Sequence, residues 1–216
     1  MNVAIIGAGN VGRALAYSCA RAGHRVRISS RDPEDAIEAA EESGAKPAKS
    51  NLDAIELADV VICAVPYAML SEVADELRDF IGDRPIVDPT NPLRPDYSGL
   101  ATEGTSAAEQ FRKKIHSDRV VKAFNTLFAS RMKEPVVDGV PLDGFVAADD
   151  DVAKKKVLEL VKSIGLRPVD TGPLSMARYL EALAFLNISL QLRHGWMWQT
   201  GWKLMGPTSE AKRQAA

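Results

Sequence analysis

The opening residues constrain the fold more than any other stretch of the chain. Val3–Ile6 is an unbroken apolar run that passes directly into Gly7-Ala8-Gly9-Asn10-Val11-Gly12, and an amphipathic stretch follows from Val11 to Ala22. A strand without polar alternation is buried on both faces, as in the centre of a parallel sheet. The G-x-G-x-x-G pattern alone is weak, but between a strand and a helix it acquires a mechanism. Gly7 permits the tight turn, Gly9 lets the backbone approach a pyrophosphate, and Gly12 lets helix and strand pack with no Cβ between them. The pyrophosphate then meets free N–H groups at the positive end of the helix dipole. The rival reading is a glycine-rich structural turn, which the βαβ context disfavours.

The rest of the chain continues the alternation expected of a Rossmann-type, doubly wound α/β fold with a mainly parallel sheet. Strands are predicted at Val26–Ser29, Asp59–Val65, Pro85–Asp88, Val120–Phe124, Gly144–Ala147 and Arg167–Asp170. Helices are predicted from Pro33 to Ser43, from Pro66 to about Ile81, over Ser106–Ile115, and from an Asp149–Asp151 cap to Ile164. From Leu174 the period changes, and Tyr179–Leu192 reads as a long apolar helix before a polar tail that frays from Glu210. The division expected is a cofactor-binding domain over residues 1–172 and a helical segment over 173–216, holding the acceptor site, a dimer interface, or both.

The end of the second strand bears on which dinucleotide is bound. An NAD site places an acidic residue there for the ribose 2′-hydroxyl, and an NADP site accommodates the 2′-phosphate with Arg. This chain reads Ile28-Ser29-Ser30-Arg31-Asp32. Ser29 and Ser30 offer hydroxyl donors, and Arg31 can hold phosphate oxygens through two charge-assisted bonds. NADP(H) is therefore preferred. The competing reading pairs Arg31 with Asp32 or Glu34 and makes Asp32 the ribose acceptor. Val65 and Pro66 fall at the carboxyl end of the third strand, where ligands bind in open α/β sheets. Thr90 and Asn91 lie in a loop at the same edge, as ligand contacts or as part of a Pro-rich turn.

Composition excludes several other classes. With 27 basic and 29 acidic residues the formal net charge is -2, which builds no footprint for nucleic acid. The first apolar run breaks at Gly7, too early for a membrane span or signal peptide, so a cytoplasmic protein is expected. Cys19 and Cys63 are two small buried thiols rather than a disulfide framework. No metal site is predicted.

Three stretches carry a resemblance: the glycine loop with Ser30-Arg31, Val121-Lys122-Ala123-Phe124-Asn125-Thr126, and Gly172-Pro173-Leu174-Ser175-Met176-Ala177-Arg178-Tyr179-Leu180-Glu181. They resemble the NADPH-dependent reductases of the deazaflavin coenzyme factor 420, over about Met1–Met205. They are also similar to the oxidoreductase domain of the transmembrane metalloreductases. The resemblance implies that Ala8, Gly9, Asn10 and Val11 lie along the pyrophosphate and that Ser30 and Arg31 hold the 2′-phosphate. It also implies that Val65 and Ala129 lie near the nicotinamide half. Asn125 stands where the deazaflavin reductases carry His; it can donate and accept hydrogen bonds but cannot carry a proton as imidazole does.

Hydride transfer between two rings requires distance and orientation more than an acid or base. No catalytic residue is assigned; Asn125 and His194 are the candidates, and His24 and His116 read as surface residues. Trp196, Trp198 and Trp202 could stack on a flat acceptor, although packing in a homodimer interface is favoured. The expected activity is hydride transfer between NADP(H) and a deazaflavin or flavin. Imine or other small-molecule reduction on the same fold is the alternative, with a non-catalytic NADP(H) sensor as the third reading. A hydroxyacid dehydrogenase is disfavoured, because Asn187 is followed one turn later by Gln191, which cannot ionise, where those enzymes carry Lys.

Overall fold

Burial along β1 (Asn2–Ile6) sets the architecture. Val3 and Ile5 enter one hydrophobic layer and Ala4 and Ile6 another, so the sheet needs helices on both faces. The computed structural model describes residues 1–206. After β1 come α1 (Asn10–Arg21), β2 (Arg25–Ser29), α2 (Pro33–Ser43), β3 (Lys46–Pro47), α3 (Asn51–Ile55) and β4 (Val60–Cys63). Next are α4 (Leu70–Leu77), β5 (Ile86–Asp88), α5 (Ala107–Ile115), β6 (Val120–Ala123) and α6 (Ala129–Lys133). A small hairpin, β7 (Val136–Val137) and β8 (Val140–Pro141), precedes β9 (Asp143–Ala148), α7 (Asp151–Ser163), β10 (Arg167–Asp170) and α8 (Ala177–His194).

The main sheet runs β3-β2-β1-β4-β5-β6-β9-β10. Its pairs are parallel except β6 with β9, where Lys122 faces Ala147. Helices α1, α2, α6 and α7 cover the face that takes Val3, Ile5, Val60 and Ile62. Helices α3, α4 and α5 cover the face that takes Ala4, Ile6, Val61 and Cys63. A third cluster joins Phe145 and Ala147 of β9 to Leu180 of α8, with Trp202 against it.

The elements depart from expectation mainly where they are short. Between the second predicted strand and the third, the chain inserts β3 and α3, each too brief to show a period. Ser50 does cap α3, accepting from the N–H of Asp53. Pro66 opens a 3-10 turn over Tyr67–Met69, not an α-helix, and α4 stops at Leu77 rather than Ile81. Helix α6 and the hairpin had no clear periodic signal. The tail from Glu210 lies outside the described residues. Among those described, no helix is long and apolar enough to cross a membrane.

Candidate functional site

The strand order reverses at β1, which lies between β2 and β4, and ligands bind at such a switch point. Gly7 adopts φ +103°, and a Cβ there would lie 2.3 Å from the Ala64 carbonyl oxygen. At Gly12 a Cβ would lie 1.9 Å from the Gly7 carbonyl oxygen. Both positions therefore demand glycine for close packing. Gly9 has open space where a Cβ would stand, and it caps α1 with no side-chain hydrogen bond. The first-turn N–H groups of α1 are thus left without a side-chain partner, which is the requirement for receiving an anion. Arg13 braces the loop: Nε donates to the Ala8 carbonyl at 2.9 Å, and the guanidinium reaches Glu38 at 2.7 Å and Glu42 at 3.0 Å. Sequence reading missed that role, because nothing in the local pattern connects α1 to α2.

A pocket of about 230 Å³ opens beside this loop, lined by Gly7, Ala8, Gly9, Ser30, Arg31, Asn51, Val65, Pro66 and Glu76 among others. Arg31 is exposed and has no ion pair among the described residues. Asp32 is used elsewhere: it caps α2, accepting from the N–H of Glu34 at 3.0 Å. Ser29 differs from expectation. It is fully buried and its hydroxyl donates to Asn51 Oδ1 at 2.7 Å, because its position on β2 turns the side chain into the protein. Asn51 in turn donates to Glu76 at 2.7 Å, so Ser29 anchors the pocket wall instead of facing a ligand.

On the other side of the loop lies a cleft of about 370 Å³, lined by Asn10, Val11, Asn91, Asn125, Thr126, Phe128, Ala129, Asn187 and Trp198 among others. The structure brings Asn91, Asn125 and Ala129 together here, apart from Val65 and Pro66. Asn125 Nδ2 donates to Asn91 Oδ1 at 2.9 Å and to the Leu180 carbonyl at 3.0 Å, while Asn91 Nδ2 returns a bond to the Asn125 carbonyl at 2.8 Å. Both donors of the Asn125 amide are thereby engaged; its Oδ1 is buried without a partner. The preceding Phe124 is buried with φ +67°, a strained conformation for a side-chain-bearing residue that turns the chain sharply out of β6.

Beneath this cleft is a charge cluster that sequence reading also missed. Lys122 is wholly buried, and its ammonium donates to Asp88 at 2.9 Å, Glu181 at 2.7 Å and the Thr90 carbonyl at 2.6 Å. Glu181, also wholly buried, accepts from the Ala107 N–H at 3.0 Å. Burial pushes the Glu181 carboxyl above its usual range, with Lys122 pulling the other way. The motifs around Lys122 and Glu181 thus meet in space, fixing α8 and the Thr90-Asn91 turn against the sheet.

His194 does not line the cleft. It is exposed at the end of α8 and stacks on Trp196, with ring centroids 4.9 Å apart. His24 is held by the chain amino group and Ser163, and burial lowers its pKa. Burial also pushes the Cys19 thiol up to about 12 and raises Cys63 well above the ordinary range, so neither is a thiolate nucleophile. No group of metal-ligating side chains occurs among the described residues. A larger cavity, about 720 Å³, is lined by Asn2, Arg25 and Lys46 among others, at the amino ends of β1, β2 and β3. It faces away from the glycine loop, and position relative to the strand ends outweighs size in choosing the site.

A family pattern described as NADP oxidoreductase, coenzyme F420-dependent, matches residues 2–92. The chain is 35% identical to the F420-dependent NADP reductase of Methanothermobacter thermautotrophicus, across 90% of each protein. Metalloreductase STEAP3 of Rattus norvegicus is 29% identical over 84% of this chain, but that match spans only 36% of the metalloreductase. A crystal structure from Arthrobacter sp. FB24, of a protein assigned as an F420-dependent NADP reductase, superposes with a TM-score of 0.80 at 28% identity, covering 89% of this chain and 94% of that one. The match to the Methanothermobacter thermautotrophicus reductase, 35% identical across 90% of each protein and so extending into the region of both late motifs, means that the chain belongs to the family of the F420-dependent NADP reductases.

Proposed function

We propose that this protein is an NADPH-linked oxidoreductase that moves hydride between NADP(H) and the deazaflavin coenzyme factor 420. The observation that carries the cofactor half is Arg31. It lines the glycine-loop pocket without an ion pair, while Asp32, its rival for the ribose, is engaged in capping α2. That arrangement favours a 2′-phosphate over a bare 2′-hydroxyl. The open space at Gly9 and the missing Cβ at Gly12 suit a pyrophosphate along Ala8–Val11.

The nicotinamide supplies the hydride when bound; the residues here bind, orient and exclude water. The cleft between the Asn91–Asn125 pair and α8 supports an acceptor beside the dinucleotide, because it shares Asn10 and Val11 with the loop. A free flavin is a second candidate acceptor on the same geometry. The exposed Tyr179 and Leu186 on α8 and exposed Trp196 and Met197 beyond it support a homodimer. The test is NADPH oxidation on mixing with factor 420, with NADH and free FMN as controls. NADPH-selective turnover of factor 420 is expected. Turnover of FMN alone would replace the acceptor, and NADPH binding without turnover of either would leave a sensor.

A further inference from the structure

The wall of the acceptor cleft formed by α8 carries an amide whose polarity is dictated by the hydrogen bonds at its carbonyl end. The backbone N–H of Trp198 can only donate, and it donates to Gln191 Oε1 at 3.0 Å. That orients Gln191, whose Nε2 donates to Thr200 Oγ1 at 2.8 Å and to Asn187 Oδ1 at 3.2 Å. Having accepted one N–H, the Thr200 hydroxyl directs its own proton to Asn187 Oδ1 at 2.6 Å. Asn187 therefore has its carbonyl end held twice from behind. A reversed amide would set Nδ2 against the Gln191 NH2, two donors facing one another.

The opposite end of the same side chain is unused. Asn187 is only 5% exposed and lines the cleft. Its Nδ2 has no hydrogen-bond partner among the described residues, and it is not one of the buried polar atoms sealed from solvent. A nearly buried donor, locked in one direction and opening on a cleft, is the arrangement that recognises a ligand acceptor atom.

Resting on the function proposed above, we propose that Asn187 donates Nδ2–H to a carbonyl oxygen of the hydride-accepting ring, and that Gln191 is the positioning residue that keeps this amide from turning over. Hydride brings its electron pair to the ring, leaving the nicotinamide oxidised, and the negative charge spreads to ring carbonyl oxygens until a solvent proton neutralises it. A preoriented N–H at such an oxygen favours both binding and transfer.

The test is equilibrium binding of oxidised factor 420 to the full-length protein saturated with NADP⁺, followed by deazaflavin fluorescence, beside steady-state reduction. Asn187→Ala should weaken factor 420 binding by about tenfold and leave NADP⁺ binding unchanged. Asn187→Asp should bind more weakly still at pH 8, where the carboxylate repels the carbonyl. Its deficit relative to wild type should shrink as pH falls and a protonated carboxyl regains a donor. Gln191→Glu keeps an acceptor for Trp198 but loses the donor to Asn187, so the amide turns over and the variant loses factor 420 binding with Asn187 intact. An Asn187→Asp deficit that does not change with pH, or binding by Asn187→Ala within twofold of wild type, overturns the assignment. Unchanged NADP⁺ affinity and far-ultraviolet dichroism exclude misfolding as the cause. If the wild type itself neither binds nor reduces factor 420, the proposed function fails first and the donor's assignment to that ring falls with it.

Discussion

Lys122→Met isolates the buried charge cluster under the cleft. The ammonium removed makes three bonds, to Asp88, Glu181 and the Thr90 carbonyl, and all three side chains of the cluster are wholly buried. Taking away the cation leaves two carboxylates facing each other, with the Ala107 N–H still bonded to Glu181 and the Thr90 N–H to Asp88. Breaking a buried pair from one side costs about 3–5 kcal/mol. At roughly 2–4 °C per kcal/mol for a domain of this size, the melting temperature should fall by about 6–20 °C. The pH dependence has a definite sign. Glu181 is already raised above its ordinary 4.5, and losing Lys122 raises it further. A carboxyl raised by folding favours the folded state most fully below its unfolded value, and that contribution is lost as pH rises through the folded one. The variant's deficit should therefore be larger at pH 8 than at pH 5.5. Adding Glu181→Gln to Lys122→Met should recover part of the loss, by removing one of the opposed charges. Thermal unfolding by circular dichroism at both pH values measures all three proteins. A deficit below about 1 kcal/mol, or one equal at the two pH values, would refute an ionised cluster.

Three further outcomes follow from the same geometry. Arg31→Ala should raise the KM for NADPH by about ten- to a hundredfold while barely changing that for NADH; equal effects on both would remove the 2′-phosphate role. Gly12→Ala puts a Cβ 1.9 Å from the Gly7 carbonyl oxygen, so dinucleotide binding by calorimetry should be abolished or the fold lost. Asp143 is pushed up by burial, but Arg167, the Leu204 N–H and Lys203 together hold it below its ordinary 3.8, so its contribution is present above that value and lost as pH falls through the folded one. Asp143→Asn should accordingly cost stability at pH 7, with a smaller deficit in urea titrations near pH 3.

The cofactor half was legible in sequence because its parts are contiguous or sit at a strand end of known geometry. The close packing at Gly7 and Gly12 follows from spacing and context alone, and the same context is what proposes Gly9 and Arg31 as ligand contacts. Ser29 was misread because strand alternation decides whether a side chain faces the ligand or the core, and the turn after β2 hides the register. His194 was plausible as a polar residue ending an apolar helix, yet its last turn points outward and stacks on Trp196. The Lys122 cluster was invisible for a different reason: its members come from β5, β6 and α8, and only the folded chain brings residues 88, 122 and 181 together. The sequence motifs around Lys122 and Glu181 could be noticed as resemblances, but not that these two residues meet in a buried ion cluster while Asn125 and Thr126 of the same motif line the cleft.

The two halves of the site are built differently, and this bears on how they can vary. The dinucleotide half rests on one βαβ unit, where a Cβ at Gly7 or Gly12 collides with backbone, so change there disturbs the fold itself. The cleft beside α8, proposed above to take the acceptor, is assembled from separate pieces held by long-range polar contacts. Ser130 donates to the Trp198 carbonyl at 2.6 Å, Arg131 donates to the Gln199 carbonyl, and the Asp143 N–H donates to the Trp202 carbonyl at 3.0 Å. On the side of residues 198–202 these bonds use backbone atoms, and among the side chains lining the cleft Ser130 and Asn187 help hold the segment while Met197 and Ile188 make no hydrogen bond to it. Substitution of Met197 or Ile188 can then reshape the cleft while the stitching persists. A wall held by Ser130, Asn187 and its own backbone, with apolar side chains between them, can change the shape of the cleft without disturbing the glycine loop.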